Sequence, residues 1–499
     1  MKGIIKMSVL EENVDLEAQA AEDAKRLKRF KVLYPLYQLM AAMCKSFSTY
    51  LNYFYTNVYM FSVDFTAIIT LTSSLISWIG TPVFAAFVDG FSFKNAKFWP
   101  WVMIGAVVVN GATILIVALP VLTGKTVELM YVVFILRIIL TLIGPLQTTP
   151  MSGAFPKMAK TPEDRAYFAM TQKLGRDGGK TIFGYIVPVL LIWFSGGGED
   201  PTMGGYAMTA LISYGLAILG MWLYAWFGLR GSYVEREALK ETAAKKKNKV
   251  PLSAIIKTIL ANRNILALFL WFGLHKAYYF IYTSYAAYVF RYVFQNFALQ
   301  GTFMTIFNLT AIIGVSFGGL WTKLWKDSKR ACTMAYVAHM VFLVIMYLTF
   351  KPEGVWTFMI LFGCSSFFMG MLETWVLPGY ANASDYGAWK TGARMDNLTM
   401  ACYNLSLTAC HLVTTLVGTF FLDSFGYTEW LQAYNAGTAT ITPEVIGGLR
   451  NLYTLAPLGI SVIALLCWIF LFNMTDENLK KVQDDLAAGK TEATSQWKF

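Results

Sequence analysis

Twelve apolar runs, each long enough to cross a lipid bilayer, constrain this chain more than any other feature. A bilayer-crossing helix needs about 20 mostly apolar residues, because its length must match the hydrocarbon thickness. A helix also satisfies its own backbone hydrogen bonds, which lipid cannot do. The sequence therefore predicts an all-α membrane protein with twelve transmembrane helices. The runs cover residues 33–58, 64–88, 99–122, 127–149, 164–194, 205–229, 264–292, 300–324, 331–350, 354–382, 396–423 and 447–473.

The composition excludes several classes of soluble protein. Hydrophobic residues make up 56% of the 499 residues and charged residues 14%, whereas soluble domains have about 45–50% and about 25%. Too little polar surface remains to coat the cores of a cytosolic enzyme. The sequence also contains no Gly-x-Gly-x-x-Gly, Walker-type, His-Glu-x-x-His or paired Cys-x-x-Cys signature. We therefore expect neither an enzyme nor a cofactor.

The positive charge indicates membrane topology rather than a nucleic-acid partner. The net charge is +11, and most lysines and arginines lie in the two tails and in alternate loops. Cytoplasmic segments of membrane proteins carry such an excess. We therefore expect a multi-pass protein of the bacterial plasma membrane, with both termini in the cytoplasm.

A long charged stretch separates the first six runs from the last six. We expect a solvated linker there, with a helical bundle on each side. The predicted segments are a cytoplasmic tail over 1–32, a six-helix bundle over 33–229, a cytoplasmic linker over 230–263, a second six-helix bundle over 264–474 and a cytoplasmic tail over 475–499.

The fourth run of each half ends in a similar pattern. Pro150 is followed by a polar loop and Arg165, and Pro378 is followed by a polar loop and Arg394, at spacings of 15 and 16 residues. Weakly similar halves are typical of transporters built from repeated six-helix units. Chance similarity between two proline-containing helix ends is the alternative.

Three segments resemble one transporter family. They are Tyr50–Asn57, Gly80–Asp89 with the Lys94 that follows it, and Asp385–Lys390. Over residues 34–474 the chain resembles the glycoside–pentoside–hexuronide:cation symporters, a melibiose-permease-like family of the major facilitator superfamily. The resemblance implies a twelve-helix major facilitator fold in two six-helix halves.

The same resemblance implies a function. It indicates a secondary active transporter of a sugar or glycoside, working by alternating access as residues 33–229 rock against residues 264–474. The small-molecule carrier would be a monomer in the bilayer. Two other classes stay open: a lysolipid-type or other lipophilic-solute carrier of this fold, and a non-transporting receptor. We expect the charges that close the cytoplasmic gate to be Asp89, Lys94, Asp385 and Arg394.

Departures from the family concern its cation site. Sodium-coupled members carry two acidic ligands on the second helix, and Ser77 and Thr81 stand in those places here. Hydroxyl groups alone bind sodium weakly, since the ion prefers several oxygen ligands with carboxylates among them. We therefore expect no sodium requirement. The resemblance implies further substrate-site positions at Thr148, Lys173, Trp375 and Thr408.

Charged side chains lie deep inside several runs. Each costs about 2.5–3.5 kcal/mol at a helix centre. They must therefore face water, one another or a substrate. The basic residues are Lys45, Arg137, Lys173, Arg176, Lys180 and Lys276, and the acids are Asp177 and Glu373.

The fifth run holds the densest group. Lys173, Arg176, Asp177 and Lys180 follow i, i+3, i+4, i+7 spacing, which places them on one helix face. Nearby glycines permit close approach of another helix. Two interpretations stay open: a structural charge network between helices, or a stripe that lines a cavity and contacts substrate. Arg137 likewise pairs with an acid such as Asp177 or contacts substrate.

The balance of these charges predicts an anionic substrate. The first half holds five deep basic residues, Lys45 among them, against one acid. A bound carboxylate or sulfonate would offset that excess, and lysine and arginine are suitable donors. We expect a hexuronide, a sulfonated sugar or another organic acid.

Coupling to protons rather than sodium is expected, at Glu373 or Asp177. A carboxyl group desolvated in a membrane can exchange protons near neutral pH. Glu373 is alternatively a structural partner of Lys276, and a facilitator without coupling stays open.

Tyr53 offers a ring face and a hydroxyl for a sugar. The histidines His275, His339 and His411 share no metal-ligand spacing, so we expect no metal site.

Overall fold

The computed structural model describes residues 2–94, 96–124, 127–159, 161–244, 260, 262–392 and 396–497. Helices dominate this part of the chain, and β structure there is confined to one isolated bridge between Phe93 and Ala96. The longer helices are α1 (Lys2–Ser48), α2 (Val63–Gly90), α3 (Trp99–Thr123), α4 (Val127–Ile143), α5 (Pro145–Met158), α6 (Pro162–Lys173), α7 (Gly179–Trp193), α8 (Met203–Leu223), α9 (Tyr233–Ala244), α10 (Arg263–Tyr288), α11 (Leu299–Trp325), α12 (Ser328–Thr349), α13 (Val355–Leu372), α14 (Val376–Thr391), α15 (Asp396–Asp423), α16 (Tyr427–Asn435), α17 (Pro443–Arg450), α18 (Ala456–Leu471) and α19 (Asp476–Ala487).

Short irregular turns join several of these helices. A 3-10 turn over Glu373–Trp375 connects α13 to α14. A π-helical turn over Leu174–Gly178 connects α6 to α7. Single π turns inside α-helices are frequent at functional sites, because they change the direction of side chains without ending the helix. Both turns carry charged residues deep in predicted spans, and both are therefore candidate positions for a substrate or coupling site.

Among the described residues, nine helices are long and apolar enough to cross a membrane. A shorter apolar helix over Val63–Ser77 overlaps the second predicted run, residues 64–88. The fifth run is outside this set, because its charged stripe interrupts the apolar surface. A total of twelve therefore stays a prediction. The nine segments are Trp99–Thr123, Glu128–Phe155, Met203–Leu229, Arg263–Val293, Leu299–Trp325, Ser328–Thr349, Val355–Thr391, Ala401–Asp423 and Pro443–Leu471.

Residue contacts group the chain into two compact units. We call them the first unit (Met1–Ser48, Ile76–Phe183 and Met203–Lys247) and the second unit (Thr49–Leu75, Gly184–Thr202 and Asn248–Phe499). The proposed bundle boundaries and linker limits remain predictions.

In the first unit, α8 packs against both α1 and α3. A buried aromatic cluster that includes Phe30, Tyr34, Tyr224 and Tyr233 fills one end of this unit. The ring of Phe30 meets that of Tyr233 edge-on, at 5.9 Å between centroids. Burial of these large rings removes apolar area from water and fixes α9 against α1.

In the second unit, α10 packs against α15 and α18, and α11 packs closely against α13. Glycines allow this last approach. A Cβ atom at Gly314 would lie 1.9 Å from the carbonyl oxygen of Phe367, and one at Gly370 would lie 2.1 Å from the carbonyl oxygen of Ala311. No side chain fits at such distances, so both helix backbones touch. This contact holds the end of α13 just before Glu373.

Glu235 of α9 fixes this helix to the start of α3. Its carboxylate is 2% exposed. It accepts hydrogen bonds from the backbone N–H groups of Lys97 at 2.5 Å, Phe98 at 2.9 Å and Trp99 at 2.6 Å. The first N–H groups of a helix have no partner within the helix. Glu235 therefore caps the N-terminal end of α3, although 137 residues separate it from Phe98 along the chain.

We predict that Glu235→Gln destabilises the protein by about 1–3 kcal/mol, because the amide nitrogen would face backbone donors and leave one of them unpaired. Thermal unfolding of the detergent-purified protein would show a lower midpoint. The matched control is Glu237→Gln, an exposed glutamate on the same helix. Equal midpoints for the two variants would contradict the capping role.

Candidate functional site

The charged stripe of the fifth run lies on and beside the π turn. Lys173 ends α6, Arg176 and Asp177 lie in the turn, and Lys180 lies in the first turn of α7. Arg176 donates from Nε to Oδ1 of Asp177 at 2.9 Å. The two side chains are 45% and 25% exposed. The stripe therefore borders open space and is not sealed in the protein core.

Helix α1 approaches the stripe at two glycines. A Cβ atom at Gly175 would lie 2.8 Å from Cβ of Gln38, and one at Gly179 would lie 2.5 Å from Cβ of Ala42. Larger residues would push the helices apart. The glycine spacing in the sequence thus has a direct packing role.

This approach brings Lys45 of α1 to the stripe. Lys45 interacts electrostatically with Lys180, Arg176 and Asp177. Three basic groups and one carboxylate therefore share one region of the first unit.

Arg137 adds a further cation in the first unit. It lies in α4 and is half-buried. Its Nε atom is buried and has no hydrogen-bond partner in the part of the chain that the structure describes. Asp177 binds Arg176 instead. A buried, unpaired guanidinium nitrogen is costly and favours an external acceptor.

The remaining first-unit candidates are more scattered. Thr148 is exposed on α5, Ser77 is half-buried on α2, and Lys94 is exposed in the turn after α2. The side chains of Thr81 and Asp89 lie outside the described residues.

A second charge cluster lies in the second unit. Lys276 of α10 donates from Nζ to Oε1 of Glu373 at 2.5 Å. His275 Nε2 lies 2.8 Å from the same oxygen, and His275 Nδ1 lies 2.5 Å from the hydroxyl of Tyr278. The pairing of Glu373 with Lys276, which the sequence left open, is thus present in the structure. We call these four residues the His275 cluster.

His275 is the member that sequence reasoning missed. It is 98 residues from Glu373 along the chain, and no spacing rule connects the two. The available signal was its position beside Lys276, a deep lysine that needed an acid. Because His275 is next to Lys276 on α10, it lies close to the acid that pairs with Lys276, which is Glu373.

The other predicted site residues of the second unit form hydrogen bonds with residues outside the His275 cluster. The buried indole of Trp375 donates to Oγ1 of Thr322 at 3.1 Å. Thr408 donates to the carbonyl oxygen of Asn404. Asp385 accepts from Gln483 of α19 at 3.2 Å. Arg394 lies outside the described residues.

Tyr53 belongs to a buried polar and aromatic group at the far end of α10. Its ring packs against those of Tyr288 and Tyr292, with centroids 5.3 and 6.4 Å away. Nearby, Asn57 donates to the hydroxyl of Tyr427 at 3.0 Å. We call Tyr53, Tyr288, Tyr292 and Tyr427 the tyrosine cluster. These contacts link the segment after α1 to α10 and α16.

Arg291 forms an ion-pair clamp beside the tyrosine cluster. Its guanidinium binds both carboxylate oxygens of Asp200, with Nη2 2.6 Å from Oδ2, and it also contacts Glu199 at 3.3 Å. Bidentate pairs of this kind are strong and directional. No spacing rule in the sequence connects Arg291 with Asp200, which lies 91 residues away along the chain.

A family model described as MFS/sugar transport protein matches residues 37–476. The chain belongs to this family. The resemblance to major facilitator sugar symporters is thereby confirmed, and the protein is a multi-pass membrane transporter of sugar-like solutes.

Three curated relatives agree with this assignment. An uncharacterized symporter, YjmB of Bacillus subtilis (strain 168), is 25% identical over 446 residues, which cover 88% of this chain and 90% of that protein. The isoprimeverose transporter of Lactiplantibacillus pentosus is 23% identical over 437 residues, 84% of each chain. A glucuronide carrier protein homolog of Escherichia coli (strain K12) is 25% identical over 139 residues, covering 27% of this chain and 28% of that protein.

A solved structure shows the same fold. The crystal structure of the nucleoside transporter NupG matches with a TM-score of 0.62 and 10% identity, covering 89% of this chain and 99% of that chain. The prediction of an all-α membrane protein with a major facilitator fold is confirmed.

Proposed function

We propose that the protein is a secondary active transporter that carries a sugar acid or a related organic anion by alternating access, coupled to protons and not to sodium. The observation that carries the proposal is the buried Nε atom of Arg137, which has no hydrogen-bond partner among the described residues, in a unit rich in deep basic residues. Lys45, the stripe and Arg137 supply five cations against Asp177.

Energetics favour an anion as the missing partner. Once the site closes around a substrate and excludes water, a charge left unpaired there costs several kcal/mol on order-of-magnitude estimates. A carboxylate or sulfonate that binds lysine and arginine side chains would offset this cost through charge-assisted hydrogen bonds. The name of the glucuronide carrier relative supports a sugar acid, and that of the isoprimeverose transporter supports a sugar.

The proposed substrate contacts divide into charged and uncharged groups. Lys173, Arg176, Lys45 and Arg137 would bind the anionic group, and Thr148 and Thr408 would bind sugar hydroxyls. Trp375 and Tyr53 are buried in this structure, so a sugar ring would reach them only after rearrangement.

Coupling is proposed at Glu373, with Asp177 as the weaker candidate. Asp177 is held by Arg176 within a group of cations. Glu373 contacts Lys276 and His275, and the imidazole of His275 is charged only when it is protonated. A proton arriving at the His275 cluster changes its charge balance. Ser77 and Thr81 supply no carboxylate for sodium.

The gates follow from the proposed orientation, with both termini in the cytoplasm of a bacterial cell. The tyrosine cluster and the Arg291–Asp200 pair would close the extracellular end. Breaking their contacts would then open that side to substrate. The cytoplasmic gate is proposed at Asp89, Lys94, Asp385 and Arg394. The transporter would act as a monomer.

The substrate class is tested by competition. In proteoliposomes that take up labelled glucuronate, other uronic and sulfonated sugars should inhibit uptake, because they carry the same anionic group. Lys173→Gln should weaken this inhibition about tenfold, the effect of losing a charge-assisted hydrogen bond of about 1.4 kcal/mol. The control is Lys323→Gln, an exposed lysine near the end of α11. Preference for neutral disaccharides over every anion would refute the proposal.

The coupling ion is tested in the same vesicles. Uptake should be equal in sodium and choline media at one pH and should stop when the pH gradient is dissipated. Glu373→Gln should abolish accumulation but retain exchange of labelled for unlabelled substrate. A strong sodium requirement would contradict the proposal. Loss of exchange together with poor folding would indicate that Glu373 is only a structural partner of Lys276.

A further inference from the structure

We propose that His275 binds the co-transported proton, and that Glu373 and Lys276 control when it does so. The inference rests on the proposed proton-coupled function and assigns the proton to a particular atom. It depends on the hydrogen-bond geometry of the His275 cluster.

The first step fixes the hydrogen positions. Oε1 of Glu373 accepts from Lys276 at 2.5 Å and lies 2.8 Å from Nε2 of His275. A carboxylate ionised beside a lysine can only accept hydrogen bonds. Nε2 of His275 therefore carries a hydrogen. In the neutral imidazole Nδ1 then has the free electron pair, so the Tyr278 hydroxyl 2.5 Å away donates to it.

The second step is the protonation itself. The proton forms a bond to Nδ1, and the new N–H donates to the oxygen of Tyr278. The Tyr278 hydroxyl hydrogen must then rotate to another acceptor. The buried hydroxyl of Tyr336 interacts with Tyr278 and can accept this hydrogen. Its ring lies beside that of Tyr278, with centroids 6.4 Å apart. No other bond changes, and His275 becomes a cation.

The surroundings favour histidine as the proton carrier. His275 is 1% exposed, whereas Glu373 is 30% and Lys276 18% exposed. Glu373 and Lys276 therefore border accessible space, and His275 lies behind them. A proton on His275 would be shielded from water in this state of the protein. The titratable groups around His275 are Glu373, Lys276, Tyr278, Tyr336 and His339.

His339 is unsuited to replace His275. Its Nδ1 meets the hydroxyl of Ser365 at 2.8 Å, and it stacks on Tyr278 with centroids 5.2 Å apart. It has no carboxylate within ion-pair distance in the described part of the chain. A charge there would have no offsetting group.

Coupling follows because two cations share one carboxylate oxygen. While Lys276 holds Glu373, a second positive charge on His275 is poorly compensated. A substrate-bound state in which Lys276 leaves Glu373 would let that carboxylate pair with protonated His275. Substrate and proton then bind together. Release of either one favours release of the other.

The test uses glucuronate in proteoliposomes of the full-length protein. With one proton per substrate, a pH gradient of about one unit supports about tenfold accumulation. His275→Gln keeps an N–H for Glu373 and His275→Asn offers an oxygen to Tyr278, but neither titrates. Each should equilibrate glucuronate without accumulation and retain exchange. The control is His411→Gln, whose ring packs on Phe280 at 4.3 Å.

The outcomes separate the two proposals. Accumulation by either His275 variant at the wild-type level would overturn the assignment of the proton to His275. Wild-type protein that moves glucuronate but ignores the pH gradient would overturn proton coupling itself. The protonated group can also be identified in the wild-type protein, by infrared difference spectra recorded with and without substrate on protein that carries isotope-labelled histidine. An imidazolium signal on substrate binding supports the inference, and a protonated carboxyl signal overturns it.

Discussion

The cost of placing charge within a membrane-spanning protein governs the rest of this structure. Each deep charge costs a few kcal/mol unless it is paired. The second unit meets that cost internally, through Glu373, Lys276 and the adjacent His275. In the first unit one carboxylate, Asp177, lies among several cations. We interpret the internally balanced cluster as the coupling site and the unbalanced one as the substrate site.

Packing places these charges where they can act. Glycines bring α1 against the π turn and α11 against α13, so that Lys45 reaches the stripe and Glu373 is held at the end of a rigid pair of helices. Ion pairs and buried tyrosines at the far end of α10 supply contacts that can break and re-form. An alternating-access transporter requires such a division between rigid helix pairs and reversible contacts.

Local patterns in the sequence were sufficient for much of this account. Hydrophobic length predicted the nine helices that are long and apolar enough to cross a membrane in the described residues. The i, i+3, i+4, i+7 spacing assumed an unbroken α-helix, whereas the structure has a π turn over Leu174–Gly178. The Glu373–Lys276 pair was one of two open interpretations. The role of His275 could not be found in this way, because its distance from Glu373 depends on how α10 packs against the turn after α13. Glu235 illustrates the same limit, since its backbone partners lie about 137 residues away.

The central claim is that an anionic substrate completes the charge balance of the first unit. Comparing the binding of glucuronate with that of glucuronamide to the purified protein tests it most directly, because the two molecules differ almost only in charge. The account predicts that the acid binds about tenfold or more tightly, as charge-assisted hydrogen bonds require, and that Arg137→Gln removes the difference. Equal or tighter binding of the amide would contradict it.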